Sequence, residues 1–469
     1  MLYDRVAERI EHMIQKGALR SGDRVPSVRK LSDQQRVSVS TVLQAYAILE
    51  SKGLIEARPQ SGYYVRRRPP AAPEPGVSRG RAAPVRVETA AATLQLLKNE
   101  QHASLAPLAS ALPSPELFPT KGLVRSLNRA ARRLGPAMHP YEHAPGYLPL
   151  RQQIARRSLE LGCALAPDDI VITVGAMEAL NLCLRAVARP GDVVALESPT
   201  YFGILQVMES LGLRALEIAT HPRDGLDVDA LATVLAKRRV SAVVAMPSYS
   251  NPLGSLMPDA RKKALVELLA RHDVPLIEDD VYGDMPAHGD RPRAAKAFDR
   301  DGNVLLCSSF SKSFSPGARV GWVAPGRFFE EVKALKFMNT VATPTLMQAA
   351  VAEFLQSGGY DRHLRRMRAE LARQVEQVAD AVMRHFPRDT CMTRPAGGYV
   401  LWVELARAID TDALYERAIR ERVTFLPGSI FSARGAFKNC LRLSCGYPFS
   451  DRIESSLRIL GRLACDQAA

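Results

Sequence analysis

Hydrophobic residues near the start of the chain recur every three to four positions. Val6, Ile10 and Met13 have this spacing, and apolar residues repeat in the same way between positions 42 and 49. Side chains at this spacing share one face of an α-helix, so each stretch is predicted to be helical. A shorter helix is predicted between them, beginning near Pro26, because proline is favoured in the first turn of a helix.

Two short apolar segments follow the third predicted helix. The sequences LIEA and YYV flank residues 59–62, where proline and glycine favour a turn, so they are predicted to pair as a hairpin. Three helices and a hairpin within residues 1–66 match the pattern of a winged helix-turn-helix, a small α+β domain. The proline-rich stretch that follows has no hydrophobic periodicity, and residues 67–99 are predicted to be a semi-rigid linker.

Residues 100–469 alternate between short apolar runs and amphipathic stretches. Runs such as DIVITV, DVVALE and SAVVAM are rich in valine, isoleucine and leucine. Continuous apolar runs indicate strands that are buried on both faces of a largely parallel α/β sheet. Near the C-terminus, YVLWVEL and CLRLSCG predict further strands among helices, in a smaller α+β subdomain.

Charge and cysteine content narrow the class of protein. The net charge is +14, and residues 1–68 alone hold 13 basic and 7 acidic residues, which indicates a polyanionic partner for this part, although a generally basic protein is an alternative. Seven cysteines without a CxxC pair favour a reducing cytoplasm over a disulfide or zinc framework. No run reaches the roughly 18 apolar residues of a membrane helix. We therefore expect a cytoplasmic protein with no membrane segment and no metal site.

One lysine lies in a serine- and glycine-rich loop directly after a predicted buried strand. This is Lys312, within SSFSKSFSPGARVGW, and Arg319 follows seven residues later. A lysine there can form a Schiff base with an aldehyde, while the hydroxyl groups and the arginine can hold a phosphate. The alternative is a surface lysine in a polar loop.

Three further stretches place polar residues at the ends of predicted strands. LIEDDVYGD ends its strand with Asp279, PSYSNPLG ends another with Asn251, and TVGAMEALNL passes through Gly175 into a helix. The N-terminus of such a helix suits an anion. Open α/β sheets build their sites at the carboxyl ends of their strands, so these stretches predict one shared site.

These motifs resemble the aspartate-aminotransferase-like fold (fold type I) of pyridoxal-phosphate enzymes over about residues 100–460. The resemblance implies that Lys312 carries pyridoxal 5′-phosphate as an internal aldimine and that Asp279 pairs with its pyridine nitrogen. It also implies that Tyr282 and Asn251 hydrogen-bond the 3-oxygen of the ring, and that Tyr201 stacks on the ring face.

The same resemblance implies a phosphate site, a ligand carboxylate site and a homodimer. Arg442 matches the arginine that grips the α-carboxylate of a substrate, and Tyr141 matches a tyrosine that reaches the phosphate in the partner subunit. The phosphate site comprises the backbone around a glycine turn, a serine and an arginine: Gly175, Ala176, Met177, Ser309 and Arg319.

The sequence departs from the aminotransferase pattern at two places. Ala176 and Met177 stand where Ser or Thr followed by Gln or Gly is usual, so backbone groups, Ser309 and Arg319 must compensate. Ala111 stands where glycine is usual, and its methyl group is expected to narrow the site.

The N-terminal unit resembles the GntR type of winged helix-turn-helix, in SGDRVPSVRKLS, VSVSTVLQAYAILESKGLI and RPQSGYYV. In this fold the second helix of the motif enters the major groove of DNA. Val39 stands where many GntR proteins have arginine, and it can contact a thymine methyl group. The resemblance implies DNA contacts by the residues that start this helix, by the preceding helix and by the wing: Ser38, Val39, Ser40 and Thr41, then Arg29 and Lys30, then Arg58, Ser61 and Gly62. A winged helix that binds protein is the alternative.

The order of these parts resembles the MocR subfamily of bacterial regulators. This implies a dimeric transcription factor that binds an operator in double-stranded DNA and senses pyridoxal phosphate, an amine or an amino acid. Two alternatives stay open. One is an active aminotransferase that carries a DNA-binding domain, and the other is a regulator that never binds the cofactor.

Overall fold

A computed structural model describes most of the chain and divides it into two compact units. The first lies before Pro73, and the second contains nearly all of the residues from Pro73 onward. The described residues are 2–51, 54–58, 61–65, 72–78, 80, 83–89, 93–94, 96 and 105–468.

The N-terminal unit contains the three helices and the hairpin that were predicted. Their bounds are α1 (Leu2–Gln15), α2 (Val28–Gln35), α3 (Val39–Ser51), β1 (Ile55–Arg58) and β2 (Gly62–Val65). The strands pair antiparallel, with Ile55 opposite Val65. Val6 and Ile10 of α1 pack with Tyr46 of α3 in one buried cluster, which confirms the amphipathic faces predicted from spacing.

Serine side chains define where α2 and α3 begin. The hydroxyl of Ser27 accepts from the backbone N–H of Lys30 at 3.3 Å, and that of Ser38 accepts from the N–H of Thr41 at 3.1 Å. Each interaction satisfies a backbone donor that the first turn of a helix leaves without a partner.

The large unit is built on a mixed, mostly parallel sheet. In the described part of the chain its strands lie in the order β3-β6-β5-β8-β9-β10-β11-β4, with β7 paired to β6. Strands β6, β5, β8, β9 and β10 run parallel to one another, and β11 and β3 run antiparallel to their neighbours. The bounds are β3 (Val85–Arg86), β4 (Val171–Thr173), β5 (Val193–Ser198), β6 (Arg214–His221), β7 (Gly225–Leu226), β8 (Ala242–Ala245), β9 (Leu276–Asp279), β10 (Val304–Ser309) and β11 (Gly321–Ala324).

Helices cover both faces of this sheet. Alternate residues of β5 point to opposite faces, so that Leu196 packs with Leu180 and Ile204 in one cluster, while Ala195 packs with Leu231 in the other. The helices of the unit are α4 (Thr120–Leu134), α5 (Leu148–Arg157), α6 (Ala176–Val187), α7 (Phe202–Ser210), α8 (Val228–Leu235), α9 (Asp259–Arg271), α10 (Phe329–Thr340), α11 (Thr345–Gln356), α12 (Gly359–His385), α13 (Thr411–Arg420) and α14 (Asp451–Ala468).

The C-terminal subdomain contains an antiparallel sheet of four strands among the described residues, in the order β12-β13-β15-β14. This arrangement confirms the predicted α+β subdomain. The bounds are β12 (Cys391–Met392), β13 (Val400–Glu404), β14 (Leu426–Pro427) and β15 (Cys440–Ser444). Arg442 lies opposite Trp402 and Leu426 on the two neighbouring strands. Its side chain is therefore attached to an inner strand of the sheet.

Part of the segment predicted as a linker differs from that prediction. Much of 67–99 lies outside the described residues, but Val85 pairs with Ala215 at the edge of the large sheet. The N–H of Ser78 also donates to the carbonyl of Thr220, at 3.1 Å. The edge strand β6 offers backbone groups along its open side, and an extended chain can pair with them although it has no hydrophobic pattern. The large unit therefore begins before residue 100.

Candidate functional site

A cavity of about 430 Å³ opens where the carboxyl ends of the parallel strands meet the start of α6. It brings together ten of the residues predicted to bind a cofactor or ligand. These are Ala176, Met177, Tyr201, Asn251, Asp279, Tyr282, Ser309, Lys312, Arg319 and Arg442. Gly175 lies against the Arg319 side chain. Tyr141 does not line the cavity, and its side chain is 73% exposed.

Lys312 follows β10 and projects into this cavity. Its Nζ donates to the carbonyl oxygen of Ala111 at 2.9 Å. Burial, and then the positive charge of Arg442, lowers the pKa of Lys312 to about 8. About a tenth of this lysine is therefore a neutral amine at pH 7. The neutral amine is the form that attacks an aldehyde.

Asp279 is the last residue of β9 and is only 4% exposed. The backbone N–H of Val281 donates to its Oδ1 at 3.3 Å. Burial raises the pKa of Asp279 to about 7, against the opposing effects of that hydrogen bond and of Lys312. A carboxyl group in this position ionises most readily beside a cation, and a protonated pyridine nitrogen is such a partner.

Arg442 is 1% exposed, and its guanidinium donates hydrogen bonds to two groups of the surrounding chain. One nitrogen of the guanidinium donates to Oδ1 of Asn251 at 3.3 Å, and another donates to the carbonyl of Ala109. The guanidinium also lies 5.6 Å from the centre of the Phe431 ring. Asn251 is therefore hydrogen-bonded to the arginine that is predicted to bind a carboxylate. The sequence motifs did not indicate this contact.

One residue that sequence analysis missed, Tyr399, lies beside this site. The hydroxyl of Tyr399 donates to the carbonyl of Ala111 at 3.0 Å, so this carbonyl receives both Tyr399 and Lys312. The rings of Tyr282 and Tyr399 meet edge to face with centroids 5.4 Å apart. Burial raises the pKa of Tyr282, so that its hydroxyl remains a hydrogen-bond donor at neutral pH.

The predicted phosphate end of the cavity is a tight turn before α6. Gly175 has a φ of +84°, and a Cβ atom there would lie 2.4 Å from a nitrogen of Arg319. Arg319 donates to the carbonyl of Val174 at 2.8 Å and to the hydroxyl of Ser311 at 3.4 Å. The first N–H groups of α6 begin at this turn, and such groups have no partner within their own helix.

These residues fit pyridoxal phosphate. The donors at the turn are backbone N–H groups, hydroxyl groups and a guanidinium, which suit a phosphate. Asp279 suits the pyridine nitrogen, and Lys312 suits the aldehyde. Of the described residues, no group of three or more His, Cys, Asp and Glu is arranged to hold a metal ion. No helix in the described ranges is both long and apolar enough to cross a bilayer.

In the N-terminal unit, the start of α3 is exposed. Val39 is 46% exposed, and Leu43, one turn further on, is 45% exposed and was not singled out in the sequence. The Ser38 hydroxyl lies 2.8 Å from that of Ser40 and 2.8 Å from that of Thr41. Hydroxyl groups and exposed apolar side chains at a helix start are suited to contacts with phosphates and thymine methyl groups.

The arginine of the hairpin, Arg58, contacts two other side chains of the same hairpin. Arg58 forms an ion pair with Glu56 at 2.8 Å and lies 4.4 Å from the centre of the Tyr64 ring. The hydroxyl of Ser61 lies 2.7 Å from that of Tyr64, and Gly62 has a φ of +106°. Arg29 and Lys30, by contrast, are exposed on α2.

Comparison with known proteins identifies both units. The model of the aminotransferase class I and II family matches residues 116–451, and that of the bacterial regulatory proteins of the gntR family matches residues 2–65. The HTH-type transcriptional regulators YjiR and YdcR of Escherichia coli are each 39% identical to this chain, and each alignment covers 98% of both proteins.

A solved structure supports the fold of the large unit. It is the crystal structure of LysN, the α-aminoadipate aminotransferase of Thermus thermophilus, complexed with N-(5′-phosphopyridoxyl)-L-leucine. The two chains are 30% identical with a TM-score of 0.74, and the match covers 80% of this chain and 95% of that one. The chain therefore belongs to the MocR-like family of HTH-type transcriptional regulators, in which a gntR-family domain precedes an aminotransferase class I and II domain whose cofactor is pyridoxal phosphate.

Proposed function

We propose that this protein is a cytoplasmic, homodimeric DNA-binding regulator whose large unit binds pyridoxal phosphate at Lys312 and senses a small amine or amino acid. One observation carries the proposal. A lysine whose pKa is lowered to about 8 shares a cavity with Asp279, Arg319 and Arg442, in a chain that begins with a gntR-family domain.

Each of these residues has a defined role in the proposal. The cofactor supplies an electrophilic carbon and an electron-withdrawing ring when it is bound. Lys312 provides the amine that holds it, and Asp279 keeps a proton on the ring nitrogen. Arg319 and the start of α6 bind the phosphate. Arg442 binds the carboxylate of the effector, a task that suits a planar guanidinium.

The effector acts on DNA binding only if it has different affinities for two arrangements of the protein. With the cofactor bound, a ligand amine would take the place of Lys312, and the lysine side chain would then be free. In the structure this side chain donates to the backbone of residue 111, and Arg442 donates to the backbone of residue 109. We propose that the carboxylate of the effector competes for Arg442 while the freed Lys312 becomes available to residue 111, so that the segment around residues 109–111 is the first part of the large unit to respond.

The homodimer is proposed from Tyr141. This tyrosine matches a residue that reaches a partner's phosphate, and its side chain is 73% exposed and lies outside the cavity of its own chain. A ring in this position is available to a second copy of the chain.

An active aminotransferase is the second candidate function. It is favoured by the presence of Lys312, Asp279 and Arg442 in one cavity, since nothing in this set of side chains is disabled for transamination. The two candidates differ in turnover. Repeated transfer of an amino group to a 2-oxo acid, lost in Lys312→Ala, supports the enzyme, whereas ligand binding without turnover supports the sensor.

The test is a selection of genomic fragments by the full-length protein at a fixed salt concentration, because phosphate contacts make affinity depend on salt. It is run with and without pyridoxal phosphate and a pool of amino acids. We expect a few intergenic fragments to be enriched and their occupancy to change with the ligands. Lys312→Ala should retain DNA binding and lose the response, while the control Lys333→Ala, at a half-buried lysine of α10 outside the cavity, should retain both.

Two outcomes would contradict the proposal. An unchanged ligand response in Lys312→Ala would show that sensing does not pass through this lysine. Absence of enrichment under every condition would remove the regulatory role and favour the aminotransferase.

A further inference from the structure

A buried ion pair lies directly behind the predicted phosphate turn. Lys336 of α10 is 1% exposed and Glu178, the third residue of α6, is 7% exposed. The Nζ of Lys336 donates to Oε2 of Glu178 at 2.7 Å and to the hydroxyl of Thr340 at 2.6 Å. The motifs that predicted the cofactor site include neither Lys336 nor Thr340.

Both carboxylate oxygens of Glu178 accept hydrogen bonds from more than one donor. Its Oε1 accepts from the hydroxyl of Thr340 at 2.7 Å and from the side chain of Asn339 at 3.4 Å. Its Oε2 also accepts from the backbone N–H of Val174 at 2.7 Å. Burial opposes ionisation, but the hydrogen bonds from Lys336, Val174 and Thr340 outweigh it and lower the pKa of Glu178. Glu178 is therefore a carboxylate that is fixed in place.

The contact with Val174 connects this cluster to the cofactor site. The N–H of Val174 is held by Glu178, and its carbonyl oxygen is held by Arg319 at 2.8 Å. Both backbone polar groups of Val174, the residue before Gly175, are therefore hydrogen-bonded to side chains. The direction in which the first N–H groups of α6 point depends on this peptide, because Gly175 alone would allow many conformations.

The charge of Glu178 would by itself oppose a phosphate. A carboxylate in the first turn of a helix competes with any other anion for the positive end of the helix dipole. At short range in a buried region this repulsion is substantial. Lys336 neutralises the carboxylate from the side of α10, so that Glu178 can hold the turn without repelling an anion beside it.

We infer that Lys336 is a positioning residue for the cofactor phosphate, acting through Glu178 and the backbone of Val174. The inference rests on the proposal that the phosphate binds at this turn. With this role, α10 contributes to cofactor affinity through a residue other than those that touch the cofactor.

The test compares two aldehydes that differ only in the phosphate group, pyridoxal phosphate and pyridoxal. The affinity of cofactor-free protein for each is measured from the absorbance of the Lys312-bound chromophore. We expect Lys336→Met to weaken binding of pyridoxal phosphate by at least about tenfold and to change binding of pyridoxal by less than about twofold. The matched control is Lys333→Met, which makes the same substitution at a lysine on the same helix whose ion pair with Glu330 lies near the surface.

A second variant separates the charge effect from damage to the fold. The double variant Glu178→Gln/Lys336→Met removes both charges and keeps an acceptor for Val174. It should recover most of the lost affinity for pyridoxal phosphate. If the single variant does not fold, Thr340→Val removes one contact to Glu178 and should give a smaller loss that is again specific to the phosphate form.

Equal losses for the two aldehydes would overturn the inference, because a merely structural role of Lys336 would affect both. Unchanged binding of both would overturn it as well. Failure of the regulatory proposal is distinguishable, since neither measurement involves DNA or an effector.

Discussion

At the scale of single residues, we expect the protonation of Lys312 to control how fast this residue takes up pyridoxal phosphate. Burial and the charge of Arg442 lower the pKa of Lys312 to about 8. Only the neutral amine reacts, so the rate at which cofactor-free protein binds pyridoxal phosphate should rise with pH and level off above about 8. Stopped-flow absorbance over neutral to alkaline pH measures this rate. Arg442→Met removes a nearby positive charge and should move the midpoint to higher pH, while Asp279→Asn should move it to lower pH.

The two variants also distinguish titration of Lys312 from titration of the free cofactor. A pH dependence that arose from the free cofactor would be the same in all three proteins. Midpoints that coincide, or a midpoint near 10.5 for the unmodified protein, would show that the cavity does not lower the pKa of Lys312.

At the scale of elements, the turn between β4 and α6 depends on glycine. Gly175→Ala places a side chain at a φ of +84° and 2.4 Å from Arg319. We expect a loss of about 1–3 kcal/mol in the free energy of unfolding from the backbone conformation and a further loss of affinity for pyridoxal phosphate, because Arg319 must move. Gly191→Ala is the matched control, since Gly191 has a φ of +90° with nothing within 4 Å. Urea unfolding and cofactor titration measure both effects, and equal cofactor affinities in the two variants would contradict the proposed role of the turn.

The elements that carry the site residues also explain which of these residues could be predicted from the sequence. Lys312, Asp279 and the turn before α6 were predictable because each lies in a local motif at a strand end. The partners of Ala111 were not, since a backbone carbonyl has no sequence signature and its donors Lys312 and Tyr399 are 201 and 288 residues away. Lys336 was missed for a similar reason, because a helix of ordinary composition carries it and its partner Glu178 lies 158 residues away.

At the scale of the whole molecule, the charges of the cavity restrict which effectors the proposed regulator can sense. Of the described residues that line it, Lys312, Arg319 and Arg442 are the basic ones and Asp279 is the acidic one. In the proposed function, pyridoxal phosphate engages Asp279 and Arg319, and the Lys312 that an effector amine releases donates to the carbonyl of Ala111, which leaves Arg442 for one carboxylate. The remaining lining is uncharged and includes Leu112, so a second carboxylate or a side-chain ammonium would be buried without a partner.

Burying an unpaired charge costs several kcal/mol, which corresponds to at least about a hundredfold in affinity. We therefore expect leucine or norvaline to change occupancy of the operator at concentrations at least about a hundredfold lower than glutamate, aspartate or lysine do. Fluorescence anisotropy of a labelled operator fragment, titrated with each amino acid in the presence of pyridoxal phosphate, measures the difference. Arg442→Met should raise the concentration needed for every amino acid, because the α-carboxylate is common to all of them. Glutamate acting as strongly as leucine in the unmodified protein would mean that another cation reaches the ligand, and the assignment of Arg442 as the one carboxylate partner among the described lining residues would be wrong.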